Sequence, residues 1–234
     1  MQDIAANLAR VRERIAAAAA QAGRQANDVK LIAVSKTHPE AAVAAALRAG
    51  QLVFGESVAQ EALTKIPQFQ ARDLEWHFIG HVQSNKARFI PGNFQWLQSL
   101  DSLKLAERLA RLAQTQATRL NALIEVNITR DPKKHGIAAN DLFPLIEQLL
   151  KAELPAISIR GLMTIGPYPA TEHDMRAAFA ALRQLRDQCQ SRYALPDFTE
   201  LSMGMSGDYE PAIKEGSTMV RIGTAIFGER DYGA

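Results

Sequence analysis

A chain of 234 residues is long enough to bury one sizeable core and lies in the range that α/β barrels occupy as single domains, so residues 1–234 read as one domain. Its 27 basic and 25 acidic residues leave a formal charge of +2, too balanced for a nucleic-acid footprint or for adsorption to a membrane. The single cysteine, Cys189, excludes an internal disulfide, and no apolar run reaches the roughly 18 residues of a membrane span, which together predict a soluble, cytoplasmic protein.

Met1 to Gln21 mixes Asp3, Arg10, Arg12, Glu13 and Arg14 among its apolar residues, so it is no signal peptide. Ile4, Leu8, Val11 and Ile15 recur at helical spacing, and Gly23 stops the helix. Then strands and helices alternate. Leu31 to Ser35 precedes helix Glu40 to Ala49, with Pro39 ending the extended run, and Leu52 to Gly55 precedes Ser57 to Ile66, opened by the acidic Glu56. Glu75 to Gly80 leads into a short helical segment near Val82 to Phe89. Phe94 to Leu100 leads into Ser102 to Gln116, with Asp101 as the expected N-cap. Ala122 to Ile128 is followed by a polar loop and helix Asn140 to Ala152, and Ile157 to Met163 by the long helix Thr171 to Arg192. Thr199 to Met205 precedes a helix near Tyr209 to Glu215, and Met219 to Gly223 precedes a final turn.

Eight such runs, each followed by a helix or the start of one, predict βαβ units closing into a (β/α)8 TIM barrel with an extra N-terminal helix. A doubly wound open sheet fits the same alternation, but the glycine-rich dinucleotide fingerprint and the P-loop pattern are both missing. In a barrel, functional groups come from strand ends and the loops after them, which makes Lys36, at the first strand-to-helix junction, the leading candidate. The stretches SMGMSGD and RIGTAIFG supply small residues whose backbone N–H groups can approach a phosphate. Ser206 and Thr224 add hydroxyls there, and Arg221 adds a charge. A sheltered lysine amine condenses with an aldehyde, and a phosphate site facing it points to a phosphorylated aldehyde such as pyridoxal phosphate. His77 and His81 stand four apart, but Gly80 and the strand-like EWHFI (Glu75 to Ile79) argue against a helical metal pair, and His77 reads as a core or hydrogen-bonded histidine. Lys133, Lys134 and His135 read as a solvated loop, with an anion contact at the barrel mouth as the alternative. Met203, Met205, Met219 and Cys189 read as packing, and Ser35, Ser84 and Ser99 lack a nucleophile-elbow context.

The run WHFIGHVQSNKARFI (Trp76 to Ile90), with AVSKTHP, FGE, VNI and KHG, RGLM, LSMGMSGD and GSTMVRIGTAIFG, resembles the pyridoxal-phosphate homeostasis family over essentially the whole chain. The resemblance implies a barrel like the N-terminal domain of alanine racemase. It further implies pyridoxal 5'-phosphate (PLP) held as a Schiff base on Lys36, Arg221 facing the pyridine nitrogen, and Ser206, Gly223 and Thr224 holding the phosphate. One departure is visible: Gly55-Glu56-Ser57-Val58 stands where the family commonly has Gly-Glu-Asn-Tyr, so a side-chain contact from that loop to the cofactor is not expected to carry over.

The resemblance also implies a role in vitamin B6 homeostasis, as a buffer or carrier without established catalysis. The expected partners are the small-molecule cofactor and PLP-dependent apo-enzymes as acceptors, with no metal, no nucleic acid, no membrane and a monomeric state. An arginine at the ring nitrogen does not give up a proton, which weakens the ring as an electron sink. Alanine racemase draws its second acid/base from a C-terminal domain and a partner subunit, whereas about eleven residues follow Gly223 here. The competing reading is a weak PLP-dependent amino-acid racemase or related catalyst with Lys36 as its only base. A possible second cofactor contact at Lys134 stays open at this stage.

Overall fold

The computed structural model describes residues 3–69 and 73–229. Helix α1 (Ile4–Gln21) comes first, its Asp3 carboxylate accepting the Ala6 N–H at 3.0 Å. Eight parallel strands follow: β1 (Lys30–Val34), β2 (Val53–Glu56), β3 (Glu75–Phe78), β4 (Trp96–Leu100), β5 (Leu120–Glu125), β6 (Ile157–Met163), β7 (Glu200–Ser202) and β8 (Met219–Ile222). They pair in chain order, and β8 returns to β1 with Ile32 beside Arg221, so the sheet is a closed barrel. Closure removes both edges.

The outer ring is α2 (Glu40–Arg48), α3 (Ala59–Lys65), α4 (Leu103–Thr115), α5 (Leu142–Lys151), α6 (Glu172–Tyr193), α7 (Tyr209–Lys214) and α8 (Thr224–Phe227). The third crossover is a 3-10 turn, Ser84–Phe89, in place of an α-helix. The longer ring helices present an apolar stripe to the sheet. On α4 it is Leu105, Ala106, Leu109, Ala110 and Ala113, the spacing that a period of 3.6 residues lays on one face. Strands between ring and lumen are buried on both sides, which is why all five residues of WLQSL in β4, polar ones included, are enclosed. Cys189, Met203 and Met219 pack in the interior as expected.

Several local expectations fail. Asp101 does not cap α4; Ser102 does, its hydroxyl accepting the Leu105 N–H at 3.4 Å, because Ser102 has the extended backbone a cap requires. Glu56 does not open a helix: it ends β2 with its side chain fully enclosed, and α3 starts three residues later. Met205 is not packing, since its side chain is exposed at the barrel mouth. Strand β1 ends at Val34, so Lys36 lies two residues beyond it, in the turn.

Candidate cofactor site

The residues singled out at the strand ends converge on one cleft at the carboxyl end of the barrel. Its volume is about 270 Å³, and its walls include Lys36, Ser206, Arg221, Gly223 and Thr224, joined by Val34 and Ile79 as apolar walls. All five candidates meet. The volume sits at the small end of ligand pockets, suited to a compact cofactor.

Lys36 is half-buried, and the turn that carries it is held on both sides. Before it, the Ser35 hydroxyl donates to Glu56 at 2.7 Å. After it, Thr37 adopts a left-handed backbone (φ 65) and its N–H donates to Glu61 at 2.5 Å. Lys65 joins the two anchors, its ammonium donating to the Ser35 carbonyl at 2.8 Å, to Glu56 at 3.0 Å and to Glu61 at 2.5 Å. Burial raises the Glu56 carboxyl above its usual range, against the lowering effect of Lys65.

The phosphate-type loops after β7 and β8 are tied together where the Ser206 hydroxyl accepts the Ala225 N–H at 3.3 Å. Asp208 fastens the first loop: its carboxylate accepts the Met205 N–H at 2.6 Å. Gly204 has φ +98, and a Cβ there would lie 2.8 Å from the Tyr209 Cα, so only glycine lets the loop pass this close to α7. Helix α8 has four residues, too short for much of a macrodipole, so anion binding here falls to loop N–H groups and hydroxyls.

Arg221 projects inward from β8 and is almost fully buried. Its Nη1 donates to the Ser202 hydroxyl at 2.7 Å and its Nη2 to the Thr164 carbonyl at 2.8 Å. Burial pushes its pKa down to about 10, with Asp208 and Glu125 opposing the fall, so it is a cation at neutral pH. Glu125, enclosed at the end of β5, is pushed up to about 7 by burial despite Arg221.

Sequence reasoning missed Glu125, Asp208 and Lys65. Nothing in their local sequence sets them apart, because their roles depend on which strands and helices close around them. His77 is a buried, hydrogen-bonded core histidine as expected: Glu75 lies 2.7 Å from Nε2 and Gln98 2.9 Å from Nδ1. Among the described residues no cluster of three metal-ligating side chains occurs, and no helix is long and apolar enough to cross a membrane. Lys134 spans two loops, donating to the Gly166 carbonyl at 2.8 Å and to Thr129 at 3.3 Å, and His135 stacks on His81 at 4.2 Å. Ser57 and Val58 do not line the cleft.

The donor set suits a small molecule with three polar features: an amine for a carbonyl, loop N–H groups and hydroxyls for an anion, and a fixed cation for a ring acceptor. Comparison with known proteins points the same way. Residues 6–231 match the family of the alanine racemase N-terminal domain. A protein of Escherichia coli K12 named pyridoxal phosphate homeostasis protein is 46% identical over 243 residues, covering 99% of each chain. One of the same name from Pseudomonas aeruginosa is 47% identical over 234 residues, covering 100% of this chain and 99% of its own. Among solved structures, PipY of Synechococcus elongatus with PLP bound is 38% identical with a TM-score of 0.84, covering 96% of this chain and all (100%) of its own. Alanine racemase of Corynebacterium glutamicum, 19% identical with a TM-score of 0.66, covers 96% of this chain and 62% of its own and shares the fold. The chain belongs to the pyridoxal phosphate homeostasis proteins, a family built on the barrel of the alanine racemase N-terminal domain.

Proposed function

We propose that this protein binds pyridoxal 5'-phosphate reversibly as a Schiff base on Lys36 and serves intracellular vitamin B6 homeostasis as a buffer or carrier, not as an enzyme. The observation that carries the reading is the meeting of Lys36, the two small-residue loops and Arg221 in one cleft. Each matches one feature of the cofactor: the aldehyde meets the amine, the phosphate meets Ser206, Gly223 and Thr224, and the pyridine nitrogen meets Arg221. That PipY, 38% identical, was solved with PLP bound supports PLP as the ligand.

The site favours holding over turning over. Arg221 stays charged at neutral pH and does not give up a proton to the ring, which leaves the ring a weak electron sink. Release requires only hydrolysis of the imine by water. In this reading residues 1–234 act as one binding domain, a monomer in the cytoplasm that passes its cofactor to PLP-dependent apo-enzymes. The test is the visible spectrum of purified protein before and after borohydride, with the labelled peptide found by mass. A yellow, reducible adduct on Lys36 is the expected result, and a colourless protein that stays unlabelled at saturating PLP overturns it.

A second reading, a weak amino-acid racemase, is favoured by one observation. Glu125 is an enclosed carboxyl at the end of β5, pushed up to about 7 by burial against the lowering effect of Arg221, the range that suits an acid/base at neutral pH.

A further inference from the structure

A continuous hydrogen-bonded chain threads the barrel lumen and ends on Arg221. At the amino end of the barrel, Lys30 Nζ donates to Glu75 at 2.7 Å. The same Glu75 oxygen faces His77 Nε2 at 2.7 Å, and Gln98 Nε2 faces His77 Nδ1 at 2.9 Å. Ser202 Oγ donates to Gln98 Oε1 at 2.7 Å, and Arg221 Nη1 donates to Ser202 Oγ at 2.7 Å. The members come from β1, β3, β4, β7 and β8.

The proton positions follow from the partners. A carboxylate only accepts, so His77 carries its proton on Nε2, and Nδ1 accepts from the Gln98 amide. Burial holds His77 neutral against the pull of Glu75. From Arg221 onward every donor therefore points the same way, through Ser202, Gln98 and His77 to the Glu75 carboxylate. Aligned bonds of this kind polarise one another in a low-dielectric interior. What sets this network apart from plain packing is its terminus on Arg221, a residue that lines the cleft.

We propose that Glu75, His77, Gln98 and Ser202 are positioning residues that orient the Arg221 guanidinium toward the cofactor's ring nitrogen and stabilise its charge from the far end of the barrel. The inference rests on the assignment of PLP to this cleft. With Nη1 and Nη2 committed to Ser202 and Thr164, the guanidinium plane is fixed, and its remaining N–H groups meet a ligand without reorganising.

The test compares Gln98→Leu, which cuts the chain two links from Arg221, with Glu75→Gln at its half-buried end and with the pair Ser202→Ala and Ser202→Thr. Readouts are the PLP dissociation constant, the position and pH midpoint of the visible band, and the imidazole 15N shifts of His77 with and without PLP. Gln98→Leu and Ser202→Ala are expected to weaken PLP about tenfold, the scale of one bond to a charged group, and to move the band. Glu75→Gln is expected to do the same more weakly, Ser202→Thr to stay near the parent, and the His77 signal to respond to PLP in the parent and in Ser202→Thr but not in Gln98→Leu or Ser202→Ala. Should Gln98→Leu not fold, Glu75→Gln and the serine pair decide. Parental affinity, band and midpoint in the folded variants overturn the proposal. A parent that forms no adduct on Lys36 overturns the cofactor assignment itself, and is seen before any variant is made.

Discussion

The Lys65 ammonium lies 3.0 Å from the Glu56 carboxylate, with side chains 5% and 0% exposed, one shell beneath the turn that carries Lys36. A buried ion pair of this kind is held by its hydrogen bonds more than by its net charge energy, because both ions have lost water. Lys65 has three acceptors for its three protons, whereas Oε2 of Glu56 has no partner. The pair therefore leans on Lys65.

Replacing Lys65 with methionine strands Glu56 and should cost about 3–5 kcal/mol of stability, the usual penalty for breaking one side of a buried pair. The double variant Lys65→Met, Glu56→Leu should recover most of that loss in thermal or denaturant unfolding. It should not recover the rate of adduct formation at Lys36, since neither replacement restores the bonds that Glu56 and Lys65 make to Ser35. Equal recovery of both would show that the pair serves stability alone.

Two carboxyls, Glu125 enclosed and Glu75 half-buried, give opposite pH signatures. Burial raises Glu125 to about 7, above its value in the unfolded chain, so its favourable contribution is full below the ordinary carboxylate range and fades as pH rises toward 7. Glu125→Gln should therefore gain stability relative to the parent as pH rises from about 4.5 to 7, by on the order of 3 kcal/mol at most, and stay level above that. Glu75 is driven upward by burial, but the bonds from His77 and Lys30 prevail and hold it at about 2. Its contribution is present at neutral pH and lost as pH falls toward 2, so the deficit of Glu75→Gln should shrink in acid. Denaturant titrations across pH read both slopes.

How much of this was legible in the sequence follows from the range over which each signal acts. Lys36 and the loops at Ser206 and Gly223 were legible because proline, glycine and small residues punctuate the chain locally. Eightfold alternation then placed those loops beside β1. The lumen chain was not legible: Gln98 and Met219, in contact at 3.8 Å, are 121 residues apart, and which side of WLQSL faces inward is set only by closure. Asp101 and Ser102 are equally good capping types, and backbone geometry alone chooses between them. Glu56 looked like a helix-opening acid because acidic residues favour first turns, yet burial beside Lys65 decided its place.

Gly204→Ala should destabilise the protein and weaken PLP together. The substitution puts a Cβ 2.8 Å from Tyr209 Cα at φ +98, a conformation costing about 1–3 kcal/mol for other residues. Asp208→Asn tests the same loop more gently, keeping the shape while removing the charge that accepts the Met205 N–H. A several-fold loss of PLP affinity with little change in melting temperature is expected for Asp208→Asn. Unchanged affinity would separate this loop from phosphate binding.

Racemisation needs proton transfer on both faces of the substrate carbon, one by Lys36 and one by a group opposite. Glu125, buried at the end of β5 and pushed up to about 7 by burial, is an enclosed carboxyl whose ionisation suits that second role at neutral pH. Binding and turnover then diverge on substitution. If the protein only holds the cofactor, PLP-loaded parent incubated with single-enantiomer amino acids keeps their chirality, and Glu125→Gln changes affinity alone. Turnover in the parent that falls by about 10²-fold or more in Glu125→Gln, and vanishes in Lys36→Ala, would replace the homeostasis reading with catalysis on two named groups. The expected outcome is retained chirality, because a guanidinium at the ring nitrogen resists the carbanion that both proton transfers require.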